Sequence, residues 1–205
     1  MCKQGVPETA LCEMVQSTIT DVNKVTASNQ HALPVLSYLM PTQRWPISEL
    51  QQIDREVRKV TVENGGTHPA GSSVLLYSPR AVGGRGMKSV ETAYKVTKIK
   101  TALKIQGSTY PTVKLVKNWD ENSARSKGRH STLEDAVKYA REFGLDLDLT
   151  KPNATCQVVS TGDEIIDNKI PDALKNAMKL THYNRRCWTK SGMERSPLLD
   201  GRIKT

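Results

Sequence analysis

Phenylalanine occurs once in the 205 residues, at Phe143, and apolar residues make up only 37% of the chain. That is below the usual globular range of about 45–50%. A large aromatic core is excluded, and the expectation is a modest helical core with weakly ordered chain towards the ends. The cysteines, Cys2, Cys12, Cys156 and Cys187, lie far apart, with no Cys-x-x-Cys pair and no Cys/His ligand spacing. A zinc site and a disulfide framework are therefore not expected, so Asn153-Ala154-Thr155 is not read as a glycosylation acceptor. No run approaches the roughly 18 apolar residues of a membrane span. There is no Gly-x-Ser-x-Gly and no His-Glu-x-x-His. Gly84-Arg85-Gly86-Met87-Lys88 lacks the spacing and the hydroxyl of a phosphate-binding P-loop. Hydrolytic chemistry, cofactors and metals find no support, and the expectation is a soluble protein of the nucleus or cytoplasm without a membrane partner.

What is abundant is positive charge, and it is localised. The chain carries 30 Lys/Arg against 21 Asp/Glu, a net +9. Between Arg80 and His130 there are 12 Lys/Arg and only three acids, Glu91, Asp120 and Glu121, so this window holds the whole excess and the rest balances at 18 against 18. Scattered charge gives solubility; charge confined to one quarter of a chain points to a polyanionic partner.

Leu75 to Ile105 organises the reading. An apolar run leads into a loop in which Gly83, Gly84 and Gly86 bracket Arg85, with Arg80 and Lys88 on either side, and a basic helical pattern follows from Ser89. Glycines let a backbone approach a ligand closely, and arginine presents a planar fork to phosphate oxygens. Two readings stand side by side: a phosphate-contacting loop with Lys95 and Lys98 on the polar face of the next helix, or a tight turn before a solvated amphipathic helix. The candidate nucleic-acid-binding residues are Arg80, Gly83, Gly84, Arg85, Gly86, Lys88, Lys95 and Lys98.

Periodicity predicts the elements. Leu11, Ile19 and Val22 are spaced for a helix over 7–26, and Leu33 to Met40 for a short buried helix, with a strand as the alternative. Ser48 with Gln51, and Ser131 with Glu134, read as capping boxes. Behind the first, Leu50, Ile53, Val57 and Val60 form an apolar stripe, with Arg55, Arg58 and Lys59 on the solvated side. Behind the second, Ala136, Val137, Ala140 and Phe143 do the same, and Gly144 ends the helix. Val113, Leu115, Val116 and Trp119 suggest a short packed segment, Asp120 to Arg129 a polar loop or strap, Leu145 to Leu149 a short strand, and 150–168 a linker. Pro171 opens a last helix, and the tail from Lys190 is polar. Trp45 and Tyr77 are read as packing residues, His31 as structural, and His68 as a turn residue. The fold class expected is mainly α: a small helical bundle with irregular linkers and a poorly ordered C-terminal tail. The divisions are a helical domain over 1–110, a linker with a short helix over 111–150, and a weakly ordered segment with one helix over 151–205.

His31-Ala32-Leu33-Pro34-Val35-Leu36-Ser37-Tyr38, Trp45, Asp54 with Arg58, His68-Pro69, Leu76-Tyr77-Ser78-Pro79-Arg80, Gly83-Gly84-Arg85-Gly86-Met87 and Gly128-Arg129-His130-Ser131 carry a family likeness. Over roughly 15–145 the chain resembles the C-terminal, thumb and linker region of the reverse transcriptase of non-LTR (LINE-type) retrotransposons. The resemblance implies a thumb-like helical domain that grips the template–product duplex, RNA or DNA, beside a polymerase palm missing from this chain. It departs from the family at Thr67, where a second histidine is usual, and at Ser78, where an apolar residue is usual. No Asp-Asp dipeptide occurs, so the carboxylates that would hold catalytic Mg²⁺ are lacking and no polymerisation by this chain alone is expected. The alternative function is a domesticated or degenerate helical interaction module whose basic face meets an acidic protein.

Overall fold

The computed structural model describes residues 21–63, 73–150, 154–159, 162–166 and 169–178. The helical pattern over 7–20, Gly65-Gly66, His68 and the tail from Lys190 lie outside them. The described residues are mainly helical: α1 (Asp21–Ala27), α2 (Leu33–Leu39), α3 (Ile47–Glu63), α4 (Ser73–Tyr77), α5 (Val90–Gly107), α6 (Pro111–Ser126), α7 (Thr132–Glu142) and a helix over 170–178. A wide π-type turn, Ser28–Ala32, joins α1 to α2 without a break.

The 18-residue α5 is the hub, packing against α2, α3, α6 and α7. Its inward face, Val90, Tyr94, Ile99, Ala102 and Leu103, is buried. Around it one cluster of buried side chains runs from Val25 and Leu36 through Leu50 and Val57 to Ala136, Ala140, Leu147 and Leu174. Trp45 packs as its size suggested, its ring 6.1 Å from that of Tyr94.

α7 starts where its capping box placed it. The Ser131 hydroxyl accepts from the Glu134 amide, and the Glu134 carboxylate accepts from the Ser131 amide. The box expected at Ser48 does not form. Pro46 precedes α3, and its carbonyl accepts from the Glu49 and Leu50 amides, so Ser48 lies inside the first turn.

The linker expected over 111–150 is mostly regular structure. The segment read as a polar strap continues as helix to Ser126, and α7 packs on both α5 and β1 (Leu145–Asp148). The linker expected over 150–168 holds two more strands, β2 (Thr155–Val158) and β3 (Glu164–Ile166). They complete an antiparallel sheet in the order β1-β2-β3, with Leu147 opposite Cys156 and Cys156 opposite Ile165. Leu145, Leu147 and Cys156 point inward and close the sheet against the helices. The buried cluster thus continues across residue 110. Among the described residues no helix is long and apolar enough to cross a membrane, and no group of three metal-ligating side chains forms.

Candidate nucleic-acid interface

The glycine-arginine loop folds back on the end of α4. Gly83 and Gly86 adopt positive φ, +79° and +74°. These turns send the amides of successive residues inward. Gly83 donates to Arg80, Gly84 to Pro79, Arg85 to Leu75, Gly86 to Ser78 and Met87 to Leu76, each within 3.1 Å. The Lys88 amide donates to Asn29 Oδ1 at 3.0 Å, and Asn29 Nδ2 donates to the Gly86 carbonyl at 2.8 Å. A loop that cradles phosphate needs its amides free to point at the anion. Here all of them are satisfied within the chain. The glycines serve the folding of the loop: Gly83 and Gly86 supply its positive-φ turns, and Gly84 its close approach to Ser78.

The loop's cations divide. Arg80 turns onto the chain: Nε donates to the Arg85 carbonyl, and Nη2 donates to the Val22 carbonyl at 3.0 Å and the Thr26 hydroxyl at 3.1 Å. It fastens the loop to α1. Arg85 is half-buried. Lys88 projects into solvent.

The two lysines assigned to the polar face of α5 are both buried, which removes them from any phosphate-binding surface. Lys95 Nζ sits between Glu91 and Glu142, 2.5 Å from each carboxylate. Burial alone would lower its pKa, but the carboxylates of Glu142 and Glu91 outweigh that and raise it. Lys98 is 2% exposed, donates to the Pro41 carbonyl at 3.1 Å and lies 5.5 Å from the Tyr94 ring centre. Burial, reinforced by the charge of Arg44, lowers its pKa. Helical spacing counted both as solvated; their long stems allowed them into the core.

Over the first turn of α5 opens a cleft of about 420 Å³ between α3, α4 and the end of α7. Arg55 and Arg58 line it, with Gln51, Ser73, Tyr77 and Thr92. Neither guanidinium has a carboxylate within 4.0 Å among the described residues. The three acids on the wall are engaged: Asp54 with the start of α5, and Glu91 and Glu142 with Lys95. Burial raises the Tyr77 phenol's pKa, and the nearby Asp54 charge adds to it. The sequence placed Arg55 and Arg58 on a merely solvated face, because their position over a cleft depends on α4 and α5, which lie far along the chain.

From the cleft, Thr92, Val96, Lys100 and Lys104 follow at four-residue spacing along one face of α5, ending in two exposed lysines. Beyond them Lys114, Arg125, Lys127 and Arg129 are exposed on α6 and the turn after it.

Arg44 fixes the α6–α7 corner. It donates to the His130 carbonyl at 2.5 Å and to Asp120 Oδ1 at 3.1 Å, and Asp135 lies 3.5 Å away. Asp120 Oδ2 accepts from the Thr132 amide at 2.7 Å. Burial pushes the Asp120 pKa up, but the bonds from Thr132 and Arg44 prevail and hold it below its ordinary value of 3.8. A carboxyl with a depressed native pKa adds stability above its unfolded pKa and loses it as pH falls through the native value. The contribution of Asp120 should therefore be lost below about pH 4. Asp135, raised by burial, has the opposite sign. Asp120→Asn should flatten the acid decline, read as the urea midpoint between about pH 3 and 6. Parallel declines for wild type and variant would contradict this role.

Comparison with family models, curated proteins and solved structures gives no match.

Proposed function

We propose that this protein binds nucleic acid through the sugar-phosphate backbone, with no catalysis of its own. One observation carries the reading. In the Arg80–His130 window, Lys88, Lys100, Lys104, Lys114, Arg125, Lys127 and Arg129 are exposed and have no carboxylate partner among the described residues. Two of the window's three acids, Glu91 and Asp120, are held in internal ion pairs. The excess charge therefore faces outward. The run from Leu76 to Met87 adds the likeness to the thumb region of a LINE-type reverse transcriptase. There such a surface would hold template and product beside a palm supplied by another part of the polymerase, reading phosphates and not bases.

The proposed contact surface is the outer face of α5 with Lys88 and the basic flank of α6. Arg55 and Arg58 extend it into the cleft. A labelled duplex titrated at several salt concentrations tests it. Each phosphate contact contributes about 0.9 to the slope of log affinity against log salt, so alanine at Lys100, Lys104 and Lys114 together should lower the slope by roughly 2.7. Arg80→Ala should leave the slope unchanged, since its guanidinium already serves Val22 and Thr26. A slope unaltered in the triple variant excludes these lysines, and failure to bind at low salt defeats the proposal.

A second reading has an observation of its own. Val35 and Tyr38 on α2 are 63% and 85% exposed, an apolar pair suited to a helical interaction module. Absence of nucleic-acid binding would favour that module and an acidic protein partner.

A further inference from the structure

α6 is the least buried of the long helices. Of its 16 residues only Ala124 is buried. Leu115 and Trp119, four residues apart and hence on one stripe, are 68% and 69% exposed, and Tyr110 stands exposed at the N-cap. A lone helix of this length is marginal in water. α6 is anchored by the Lys117–Gln106 bond and the Asp120–Arg44 pair, which leave the Leu115–Trp119 stripe uncovered.

The charges beside the stripe indicate what covers it. Lys114 and Arg125 are exposed, and eleven residues is close to three helical turns, so both lie on the same flank, about 16 Å apart along the axis. Lys127 and Arg129 continue it into the turn. Glu121, seven residues after Lys114 and four before Arg125, stands on the same flank between them and subtracts one charge. Asp120 is withdrawn by Arg44 and the Thr132 amide. The exposed apolar groups of α6, Tyr110, Leu115, Val116 and Trp119, include two aromatic rings. Such rings match the face of a base, and base–aromatic stacking beside cations is how unpaired strands are held. A duplex keeps its base faces stacked inside and has none to offer.

We propose that α6 is a binding site for single-stranded nucleic acid, with a base stacked on Trp119 and phosphates against Lys114 and Arg125. This rests on the nucleic-acid reading above and narrows it to an unpaired strand at this helix.

The test uses the full chain, a labelled oligouridine of about 12 nucleotides and a labelled hairpin duplex. Wild type, Trp119→Ala and Trp119→Phe are titrated by fluorescence anisotropy. Trp119→Ala should weaken oligouridine binding about tenfold, the scale of one lost stack, while duplex binding stays unchanged and Trp119→Phe keeps most of the affinity. Trp119 is largely exposed, so the fold should tolerate both substitutions, with unchanged circular dichroism as the check. Equal oligouridine binding by wild type and Trp119→Ala overturns the site but leaves the phosphate-binding proposal standing. Equal weakening on both probes overturns the strand preference. Duplex binding without oligouridine binding overturns the site and marks the stripe as protein-docking surface. Wild type that binds neither probe defeats the broader reading together with this one.

Discussion

Asp54→Ala should destabilise the protein by about 4 kcal/mol, the largest loss expected from any single substitution considered for this chain. Asp54 lies within α3, almost fully buried, and its carboxylate holds the start of α5. Oδ2 accepts from the Ser89 hydroxyl at 2.5 Å and the Glu91 amide at 3.3 Å, and Oδ1 accepts from the Val90 amide at 2.9 Å. The first amides of a helix have no partner within it, and the helix dipole favours negative charge there. Ser89 alone can satisfy only one of them, the Thr92 amide. Alanine would leave the Val90 amide buried with no acceptor, at a cost of about 1–3 kcal/mol before the bonds to Ser89 and Glu91 are counted. Burial raises the Asp54 pKa despite the opposing bonds from Ser89, Val90 and Glu91. The native state therefore holds a proton on Asp54 more readily than the unfolded chain does. The charge itself costs stability above the ordinary carboxyl pKa, and that cost is relieved as pH falls through the raised native value. Asparagine, which keeps one accepting oxygen and no charge, should consequently cost about half as much as alanine. Urea unfolding of the three proteins measures both, and a loss below about 1 kcal/mol for Asp54→Ala would show that Ser89 suffices to start α5.

What could be read in advance from the sequence follows the range of the interactions. α7 was legible because its start is local: Ser131 and Glu134 satisfy each other's amides three residues apart. At Ser48 the same pattern misled, since the helix has already begun at Ile47, with the Pro46 carbonyl accepting from the Glu49 and Leu50 amides, and Ser48 is a first-turn residue and not a cap. The Ser89 cap was visible, but Asp54, 35 residues earlier, was not, although it satisfies more of the α5 start than Ser89 does. The continuation of α6 through Asp120–Ser126 was hidden for a similar reason. Asp-Glu-Asn-Ser has little helix propensity, and Arg44 and Thr132, 76 and 12 residues distant, hold Asp120 in place. The hairpin of β2 and β3 consists of four- and three-residue strands, too short for alternation to register.

The candidate site divides along the same line. Window charge is a sum over sequence and needs no geometry, so the basic region was legible at once. Which cations face solvent is decided by tertiary packing. Lys95 carried a local hint, with Glu91 one turn before it, but its second partner, Glu142, is 47 residues away. Lys98 gave no hint, since the Pro41 carbonyl that receives its ammonium belongs to a different helix junction. The exposure of Trp119 was unexpected, because a large aromatic within an apolar run is ordinarily buried.

Gly84→Ala should cost about 3 kcal/mol, through overpacking against backbone. For a chain of this size that lowers the melting temperature by roughly 9 °C. A Cβ at Gly84 would stand 2.1 Å from the Ser78 carbonyl oxygen and 2.4 Å from its carbon. The obstacle is the main chain at the end of α4, which no rotamer change can move aside. Relief requires the loop to lift, and the bonds from Arg85 to Leu75, Gly86 to Ser78 and Met87 to Leu76 cross the same gap. Met87 would leave the core with them, and Lys88 would lose the Asn29 oxygen that holds its amide. Gly83→Ala isolates the backbone term. A Cβ there meets nothing within 4 Å, so its penalty is confined to the φ of +79° and should be near 1 kcal/mol. Thermal unfolding of the two variants should rank Gly84→Ala well below Gly83→Ala, and equal melting temperatures would refute the close approach of loop and helix. The contrast also decides why the loop is rich in glycine. A loop built to receive phosphate would tolerate alanine at Gly84 in the fold and lose binding first, whereas one packed on α4 loses the fold first, which is the order expected here.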